Sequence, residues 1–461
     1  MLTREQYEMP MRCTVFGTGY LGATHAACMA ELGHQVLGVD IDADKIAKLE
    51  AGEAPFFEPG LLDVLRRNIE SGRLSFTTSY EEAASFANLH FIAVGTPQRH
   101  GDYAADLTQL HSVIDRLTPN LTQAAVVVGK STVPVGTATA LSERVRSLAP
   151  AGDAVEVAWN PEFLREGFAV QDTLAPDRLV FGIEHDRARN AENMLREIYR
   201  SLISAGVPLV VTDLATAELA KSAANAFLAT KLSFINAISE VCEVAGADSS
   251  ELADILGYDP RIGRRFLNGG LGFGGGCLPK DIRALMARAG ELGANQALHF
   301  LREVDSINMR CRSRMVEMTR KACGGSVLGA RVTVLGAAFK PESDDVRDSP
   351  ALNVAGQLQL GGAEVTVFDP QAMDNARKVF PTLNYATSAH EACRGADAVL
   401  VLTEWPEFCQ LDPGTVAHLV RSHNVLDGRN CLDGSRWRSQ GWRYWKLGSG
   451  LASTQRSPLI P

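Results

Sequence analysis

The amino-acid sequence predicts an α/β protein in which two doubly wound units are joined by one long helix. Strand-like segments alternate with helical ones in the first half of the chain, the same alternation restarts near residue 330, and an uninterrupted helical pattern lies between the two. The chain has 461 residues, which exceeds what one hydrophobic core usually supports. We therefore expect domains at residues 11–206, 207–322 and 323–447, and a flexible tail at 448–461.

The N-terminal unit begins with a strand, a glycine-rich turn, a helix and a second strand. RCTVF (12–16) and QVLGVD (35–40) have the composition of buried strands, and GTGYLG (17–22) follows the first of them. Helical segments separate the strands, so the sheet is predicted to be parallel and doubly wound. Later strands of the same unit are predicted at HFIAVG (90–95), AAVVVGK (124–130), VEVAWN (155–160) and RLVFGI (178–183).

A single long helix is predicted from Asp213 to about Ala245. No proline interrupts this segment, and at 1.5 Å per residue it spans roughly 50 Å. This length is enough to connect two domains and to leave a face for a partner subunit, and a homodimer or a higher homo-oligomer is what the family resemblance described below implies. Apolar residues recur along the helix at spacings of three and four: Leu228, Leu232, Ile235, Ile238, Cys242 and Ala245.

The alternation of strands and helices restarts in the C-terminal part of the chain. A helix is predicted around residues 350–360, and further helical sequence precedes the second unit around residues 282–322. The strands of this unit are predicted at ARVTVLGAAFK (330–340), AEVTVFDP (363–370), ADAVLVLTEW (396–405) and NVLDGRN (424–430).

Composition and charge argue against several classes of protein. A formal net charge of −9 at pH 7 disfavours a general nucleic-acid binder, because binding phosphates needs a basic surface. No run of about 18 apolar residues is present, so no membrane span is expected, and the segment MLTREQYEMP lacks the apolar core of a secretory signal. The nine cysteines show no C-x-x-C pair and no Cys/His spacing typical of zinc. We expect a cytoplasmic protein with no disulfide framework and no metal site.

The turn after the first strand has the pattern of a dinucleotide-binding site. Gly17, Gly19 and Gly22 form G-x-G-x-x-G between a strand and a helix. The first glycine permits the tight turn, the second lets a pyrophosphate approach backbone N–H groups, and the third permits close packing of helix on strand. Asp40 ends the next strand, where a carboxylate binds ribose hydroxyls and repels a 2′-phosphate. NAD is therefore favoured over NADP; the alternative is that the glycines serve packing alone.

One cysteine has unusual surroundings, in GFGGGCLPKD (272–281). The glycines before Cys277 let backbone approach a ligand closely, and Pro279 suits the first turn of a helix. A thiol at a helix N-terminus beside Lys280 is expected to ionise readily and to act as a nucleophile, with Asp281 orienting a water or a substrate hydroxyl. The alternative is a buried cysteine in a glycine turn.

Polar groups that could assist such a nucleophile occur in three further segments. Glu162 lies in NPEFLREG, Thr132 lies in KSTVPVGT, and Lys221 and Asn225 are i, i+4 neighbours on the long helix. Taken singly, each is equally compatible with a solvated charge or a helix cap. A dinucleotide site with a thiolate suggests oxidation of an alcohol to an aldehyde, capture by the thiol, oxidation to a thioester, and hydrolysis. Glu162 suits the general base of the last step, and Lys221 and Asn225 suit an oxyanion.

Motifs occur along nearly the whole chain, from about residue 11 to about residue 445: GTGYLG, VDID, VGTP, KSTVPVGT, NPEFLREG, ELAKSAANAFLA, DPRIGRRFL, GFGGGCLPKD, AFKPESDDVRDSP, VFDP, LTEWPEF and DGRN. Taken in order, they resemble the motifs of the UDP-glucose/GDP-mannose dehydrogenase family. The resemblance implies two Rossmann-like domains joined by a long helix at the core of a dimer. It also implies an NAD-dependent enzyme that oxidises C6 of a UDP-sugar twice through a cysteine thioester.

The resemblance also implies roles for individual residues. Cys277 would be the nucleophile, Glu162 the base for thioester hydrolysis, and Arg261 would reach in from a neighbouring subunit. The other implied catalytic residues are Lys221, Asn225, Asp281 and Thr132. The implied NAD contacts are Gly17, Thr18, Gly19, Tyr20, Leu21, Gly22, Asp40, Lys45, Thr96, Thr132, Glu166 and Arg347. The implied sugar-nucleotide contacts are Glu162, Phe163, Leu164, Arg165, Lys221, Asn225, Arg261, Asn268, Leu271, Gly272, Phe273, Gly274, Phe339, Lys340 and Arg429.

Two positions depart from the family pattern, and several alternatives stay open. Gly276 precedes the cysteine where many relatives have serine or tyrosine, and Arg165 occupies a position that is often alanine; both are expected to adjust the sugar site. NAFLATKLSFIN and DPRIG favour the UDP-glucose branch, whereas GDP-mannose and UDP-N-acetyl-hexosamine dehydrogenases share the catalytic set. A single-oxidation hydroxyacid dehydrogenase would not need Cys277, and a non-enzymatic NAD-binding protein would form no NADH.

Overall fold

The computed structural model describes residues 10–186 and 190–449, and the chain divides into two compact units. The first unit contains the described residues up to Ala224 together with Arg283–Leu292, and the second contains Asn225–Ile282 and the described residues from Gly293 onward. None of the helices in these stretches of chain combines the length and the hydropathy that crossing a membrane requires.

The first unit is built on an eight-stranded sheet. Its strands are β1 (Arg12–Phe16), β2 (Gln35–Val39), β3 (Leu74–Thr77), β4 (Leu89–Ile92), β5 (Ala125–Gly129), β6 (Val155–Trp159), β7 (Leu179–Ile183) and β8 (Leu209–Asp213). Its helices are α1 (Tyr20–Glu31), α2 (Ala43–Glu50), α3 (Leu61–Glu70), α4 (Tyr80–Phe86), α5 (Thr108–Leu117), α6 (Thr137–Leu148), α7 (Ala169–Leu174), α8 (Ala191–Ile198), α9 (Arg200–Ser204) and the first part of α10 (Leu214–Ala245).

The strand order of this sheet is β3-β2-β1-β4-β5-β6-β7-β8. Neighbouring strands from β3 through β6 are parallel, as predicted. The prediction of parallel strands is wrong for β7, which is antiparallel to β6. The eighth strand, β8, was not predicted, and it is parallel to β7. The connection from β6 to β7 runs through residues 160–178 and contains the six-residue α7.

Side chains from successive strand residues form an apolar layer on each face of the sheet. Val15 and Phe91 belong to one layer, whereas Phe16 and Ile92, the next residues along the same strands, belong to the other, and all four are buried. Helices cover both layers, so the sheet is doubly wound.

The second unit contains a six-stranded parallel sheet of order β11-β10-β9-β12-β13-β14. Its strands are β9 (Arg331–Leu335), β10 (Glu364–Phe368), β11 (Asn384–Tyr385), β12 (Ala398–Val401), β13 (Asn424–Asp427) and β14 (Arg443–Lys446). Its helices, together with the remainder of α10, are α11 (Ser249–Gly257), α12 (Leu278–Glu291, shared with the first unit), α13 (Phe300–Ala322), α14 (Pro350–Leu360), α15 (Met373–Val379), α16 (Ala389–Ala392), α17 (Pro406–Cys409), α18 (Pro413–Ala417) and α19 (Gly434–Ser439).

The predicted fold class is confirmed. Two α/β sheets are present, and the long helix predicted from Asp213 is observed as α10, from Leu214 to Ala245. The helix predicted around residues 350–360 begins at Pro350, where the side chain of Ser349 accepts the N–H of Leu352. Of the predicted tail, residues 450–461 lie outside the described residues, as do residues 1–9 of the N-terminal segment.

Candidate active site

In the glycine-rich turn between β1 and α1, two glycines have no room for a side chain and one does. A Cβ on Gly17, whose φ is +87°, would lie 2.7 Å from Cγ1 of Val94, and a Cβ on Gly22 would lie 1.7 Å from the carbonyl oxygen of Gly17. A Cβ on Gly19 would meet no heavy atom within 4 Å. Gly17 and Gly22 are therefore required by packing, whereas Gly19 leaves its face of the helix N-terminus open to a ligand.

Asp40 follows β2 and fixes the same turn. Its Oδ2 accepts the N–H of Thr18 at 2.8 Å and the ammonium of Lys45 at 2.9 Å, and its Oδ1 accepts the N–H of Asp42 at 3.1 Å. Burial alone would raise the pKa of this carboxyl group, but the bonds from Lys45 and the two backbone amides outweigh it and hold the pKa below its usual value. A carboxylate is therefore held beside the turn, as ribose recognition requires.

The remaining predicted cofactor contacts of the first unit lie in loops at the carboxyl ends of strands. Thr96 follows β4, and its hydroxyl donates to the carbonyl oxygen of Thr132, which follows β5, at 2.7 Å. Leu21 lies in the first turn of α1, and Glu166 is buried in the loop after β6. Carboxyl ends of parallel strands are the usual edge for ligand binding in such sheets.

Glu162 and Lys221 form a buried ion pair in the first unit. Nζ of Lys221 lies 2.9 Å from Oε1 of Glu162, and the N–H of Leu164 donates to Oε2 at 2.7 Å. The ring of Phe163 packs beside this pair, with the guanidinium carbon of Arg178 3.7 Å from the ring centroid. The carboxylate is thus held in one orientation next to a cation.

Arg165 is engaged elsewhere in the same loop. Its guanidinium forms a bidentate pair with Asp172, at 2.9 Å from Nε and 2.6 Å from Nη2, and lies over the ring of Phe168. The structure therefore brings Glu162, Phe163 and Lys221 together and turns Arg165 toward α7.

Cys277 lies directly before α12 in the second unit. All nine cysteines fall in the described part of the chain, and Cys277 alone among them is exposed. Its carbonyl oxygen accepts the N–H of Asp281 at 3.0 Å, which closes the first turn of the helix. The buried carboxylate of Asp281 accepts from Asn225 on α10 at 2.6 Å and from Lys280 at 2.6 Å. An exposed thiol thus lies at a helix N-terminus, one turn from a fixed carboxylate.

The glycines before Cys277 pack closely against other segments of the second unit. Protein atoms lie where a Cβ on each of them would be. A Cβ would lie 2.3 Å from Oδ1 of Asn308 at Gly272, 2.3 Å from the carbonyl oxygen of Asp348 at Gly274, 2.8 Å from the ring of Phe339 at Gly275, and 2.3 Å from Cζ of Arg347 at Gly276. The run of glycines lets this loop pack against α13 and against the loop after β9.

Two buried side chains that sequence reasoning missed hold this loop in place. Oδ1 of Asn308 accepts the N–H of Phe273 at 2.7 Å, and its amide donates to the Phe273 carbonyl at 3.0 Å. Arg312 donates to the same carbonyl at 3.2 Å and pairs with Asp348 at 2.7 Å. Both lie on α13, where a polar residue in a single sequence reads as solvent-facing, so no signal in the sequence distinguished them. The side chains of Leu271 and Phe273, both predicted sugar contacts, are buried.

Two other predicted sugar-nucleotide contacts of the second unit, Arg429 and Lys340, have different neighbours. Arg429 donates to the carbonyl oxygens of Leu402 at 2.8 Å, Gly272 at 2.8 Å and Phe339 at 3.0 Å, so it joins three segments. The ammonium of Lys340 lies 5.4 Å from the centroid of the Phe339 ring.

Three further arginines and one asparagine lie at the surface of the second unit. Arg347 pairs with Asp345 at 2.7 Å. The side chain of Arg261 projects toward solvent. It is 88% exposed and pairs with Asp259 at 2.7 Å. Asn268 accepts from Arg264 at 2.7 Å.

Comparison with known proteins identifies the family. Models of the UDP-glucose/GDP-mannose dehydrogenase family match residues 11–203 (NAD binding domain), 215–310 (central domain) and 333–434 (UDP binding domain). A UDP-glucose 6-dehydrogenase of Rhizobium meliloti is 41% identical over 438 residues, which cover 95% of this chain and 99% of the relative. This chain belongs to the UDP-glucose/GDP-mannose dehydrogenase family. A UDP-glucose 6-dehydrogenase of Bacillus subtilis is 39% identical over 439 residues, covering 95% of this chain and 98% of the relative.

Solved structures of the family have the same fold. A UDP-glucose dehydrogenase from Pyrobaculum islandicum is similar with a TM-score of 0.88 and 35% identity, covering 97% of this chain and all of that one. A UDP-D-ManNAc dehydrogenase from Pyrococcus horikoshii has a TM-score of 0.83 and 26% identity, covering 95% of this chain and 99% of that one.

Membership of the family makes this chain an NAD-dependent oxidoreductase, as predicted, and its third matched domain is a UDP binding domain. The glycine-rich turn fits the cofactor. Gly19 leaves the α1 N-terminus open for a pyrophosphate, and the Asp40 carboxylate lies beside the turn for a ribose. A carboxylate in that position disfavours the 2′-phosphate of NADP.

Proposed function

We propose that this chain oxidises UDP-glucose at C6 twice to give UDP-glucuronate, through a thioester on Cys277. The observation that carries the proposal is the exposed thiol at the N-terminus of α12, one turn from the Asp281–Asn225 pair. A dehydrogenase that stops at an aldehyde or a ketone needs no such thiol. The names of the two relatives and of the Pyrobaculum islandicum structure support glucose as the sugar.

In the proposed reaction the cofactor, when bound, accepts one hydride in each of two oxidations. The C6 hydroxyl loses its proton, which passes to solvent, and C6 loses a hydride, which gives an aldehyde. The Cys277 sulfur adds to the aldehyde carbon, and the former carbonyl oxygen takes up a proton to give a thiohemiacetal. Loss of that proton and of the second hydride leaves a thioester.

Hydrolysis of the thioester requires a base and an oxyanion donor. Glu162 takes a proton from the attacking water, and the tetrahedral oxyanion forms. Its collapse releases the Cys277 thiolate and the carboxylic acid, which then loses its proton to solvent. Lys221 and Asn225 are one turn apart on α10 and stabilise developing negative charge on oxygen, while Asp281 and Thr132 position water and the substrate hydroxyl. Lys221 also orients Glu162, through the 2.9 Å ion pair.

The remaining predicted residues are proposed to bind the two nucleotides. Thr18, Tyr20, Leu21, Lys45, Thr96, Thr132, Glu166 and Arg347 join the glycine-rich turn and Asp40 at NAD. Phe163, Leu164, Arg165, Asn268, Leu271, Gly272, Phe273, Gly274, Phe339, Lys340 and Arg429 serve the UDP-sugar.

A second copy of the chain is the proposed partner of α10 in the second unit. Phe227, Phe234 and Val241 recur every seven residues on this helix and are 67%, 51% and 58% exposed, so they form an apolar stripe at coiled-coil spacing. The exposed Arg261 is proposed to complete the sugar site of that partner. Phe234→Asp is expected to convert a dimer into monomers in light scattering coupled to size exclusion; a parent-like mass would contradict this interface.

The proposed reaction is tested by the stoichiometry and the sugar preference of NADH formation. Purified protein is incubated with limiting UDP-glucose, GDP-mannose or UDP-N-acetylmannosamine and excess NAD. We expect two NADH per UDP-glucose and slower turnover of the other two sugars. One NADH per sugar would exclude the thioester route, and equal rates with all three would exclude the assignment to UDP-glucose.

A further inference from the structure

Glu58 is a buried carboxylate that no step of the proposed reaction uses. It lies in the segment between α2 and α3 and is 5% exposed. Its Oε1 accepts the N–H of Ala169 at 2.7 Å, and its Oε2 accepts the N–H of Gly167 at 2.7 Å and the hydroxyl of Tyr20. A buried charge with three donors is well compensated, and its hydrogen bonds are stronger than those between neutral groups.

The three donors come from two separate loops of the first unit. Tyr20 is the first residue of α1, inside the glycine-rich turn. Gly167 ends the NPEFLREG segment, which carries Glu162 and Glu166. The two loops also meet directly, because the N–H of Gly167 donates to the Tyr20 hydroxyl oxygen at 2.9 Å.

The Tyr20 hydroxyl is held as a donor. Burial, followed by the bond and the charge of Glu58, raises the pKa of Tyr20 well above its usual value, so the hydroxyl keeps its proton. The ring of Phe56 lies 4.8 Å from the ring of Tyr20 and restricts its rotation. The segment from Phe56 to Glu58 is therefore packed and bonded against both loops.

We propose that Glu58, acting with the Tyr20 hydroxyl, is a positioning residue that ties the loop of Glu162 and Glu166 to the glycine-rich turn. A carboxylate is required because both of its oxygens accept backbone N–H groups. A glutamine in its place would face one of these N–H groups with its own N–H, which leaves a buried donor without an acceptor. The proposal rests on the proposed function only for the roles of Glu162 and Glu166.

The test compares Glu58→Gln, Tyr20→Phe and the double variant with a matched control, Glu31→Gln. Glu31 is a partly buried carboxylate at the other end of α1, where it accepts from Arg67 at 2.8 Å and Asn68 at 2.7 Å and contacts neither loop by hydrogen bond. Hydrogen exchange of the peptide spanning residues 160–170 is measured without cofactor, and NADH affinity is measured by fluorescence titration without substrate.

We expect Glu58→Gln to speed exchange at Gly167 and Ala169 and to weaken NADH binding, each about tenfold, and Tyr20→Phe to have about a threefold effect. The double variant is expected to show the same exchange rate and NADH affinity as Glu58→Gln, because the two side chains belong to one hydrogen-bonded cluster. Glu31→Gln is expected to stay within about twofold of the parent in both measurements.

Parent-like exchange and NADH affinity in Glu58→Gln would overturn the proposal, and so would equal changes in Glu31→Gln, which would reveal general destabilisation. If Glu58→Gln does not fold, Tyr20→Phe carries the test, since it removes a single oxygen; parent-like behaviour there would also overturn the proposal. Failure of the proposed function is separate: one NADH per sugar would exclude the thioester route and leave the exchange result standing.

Discussion

The ammonium of Lys221 lies 2.9 Å from Oε1 of Glu162, and both side chains are nearly buried, at 6% and 12% exposure. The second carboxylate oxygen accepts the N–H of Leu164, so each oxygen has a fixed partner. A buried pair of this kind is costly to break, because removing one partner leaves an uncompensated charge. A change in overall rate in a variant of either residue therefore includes the effect of the broken pair. The step at which the reaction stops must be measured as well.

Replacing Glu162 is expected to stop the reaction after the second oxidation. Glu162→Gln keeps the shape of the side chain but cannot take a proton from water, so thioester hydrolysis should slow by about three orders of magnitude. We expect a rapid burst of NADH corresponding to two molecules per active site, followed by slow turnover, and an acyl adduct on Cys277 in the intact-protein mass spectrum.

The matched control for this variant is Glu184→Gln. Glu184 pairs with Arg146 at 3.0 Å in the same unit, and its side chain is 22% exposed. It should show parent-like steady-state turnover without a burst. A linear time course with Glu162→Gln, with no adduct, would contradict the role of Glu162 in hydrolysis.

Cys277→Ser is expected to abolish formation of the acid. A serine hydroxyl at this position is not ionised at neutral pH, so it adds poorly to an aldehyde, and the resulting ester would hydrolyse more slowly than a thioester. We expect UDP-glucuronate formation, measured by chromatography, to fall at least about a thousandfold. Cys323→Ser, at a half-buried cysteine in the second unit, is the control. Acid production by Cys277→Ser at the parent rate would exclude the thioester.

Much of the fold could be predicted from the sequence, and the strands that were missed share one property. Central strands such as β5 are continuous apolar runs and were recognised. The missed strands are β3, β8, β11 and β14, which are the four edges of the two sheets. Edge strands are short and partly exposed: β11 has two residues, and no residue of β8 is buried. Their sequences therefore lack the continuous apolar pattern by which strands are recognised.

Within the candidate site, the sequence predicts which segments carry the site residues but not the contacts that hold these segments in place. The glycines of GFGGGCLPKD are predicted to let backbone approach a ligand, and a single sequence does not show which side chains lie opposite each glycine. The structure shows Asn308, Asp348, Phe339 and Arg347 in those positions. Glu58 was missed for a similar reason, since nothing in its local sequence indicates that it accepts bonds from residues 20, 167 and 169.

Gly276→Ala is expected to alter cofactor binding while leaving stability nearly unchanged. The added Cβ would lie 2.3 Å from Cζ of Arg347, whose side chain is 63% exposed and can move away at little cost. Because Arg347 is a proposed NAD contact, we expect the KM for NAD to rise by about three- to tenfold, with a change in melting temperature of less than about 2 °C.

Gly290→Ala is the control for this substitution. Gly290 lies inside α12, and its Cβ would meet no heavy atom within 4 Å, so alanine should stabilise the helix by about 0.5–1 kcal/mol and leave the KM unchanged. An unchanged KM for NAD in Gly276→Ala would remove Arg347 from the proposed cofactor contacts.

Lys130 makes stability depend on pH in the alkaline range. It follows β5 and is buried, with Nζ donating to Oδ1 of Asn160 at 2.8 Å and to the hydroxyl oxygen of Tyr199 at 3.3 Å. Burial lowers the pKa of this ammonium from 10.5 to about 8.

Below pH 8 both the folded and the unfolded chain hold the proton, and the cost of burying the charge is present in full. Between pH 8 and about 10.5 the folded chain releases the proton while the unfolded chain retains it. The contribution of Lys130 to the free energy of unfolding therefore rises with pH, by about 3 kcal/mol in total.

The pH dependence is isolated by comparing the parent with Lys130→Met. The difference in melting temperature, parent minus variant, is expected to increase by several degrees between pH 7 and pH 10, because only the parent sheds the buried proton. Lys378→Met, at an exposed position in the second unit, should show a constant difference over the same range. If the difference in melting temperature is constant for Lys130→Met as well, the pKa of the buried amine is not lower than its value in the unfolded chain. In that case its bonds to Asn160 and Tyr199 would hold it charged throughout.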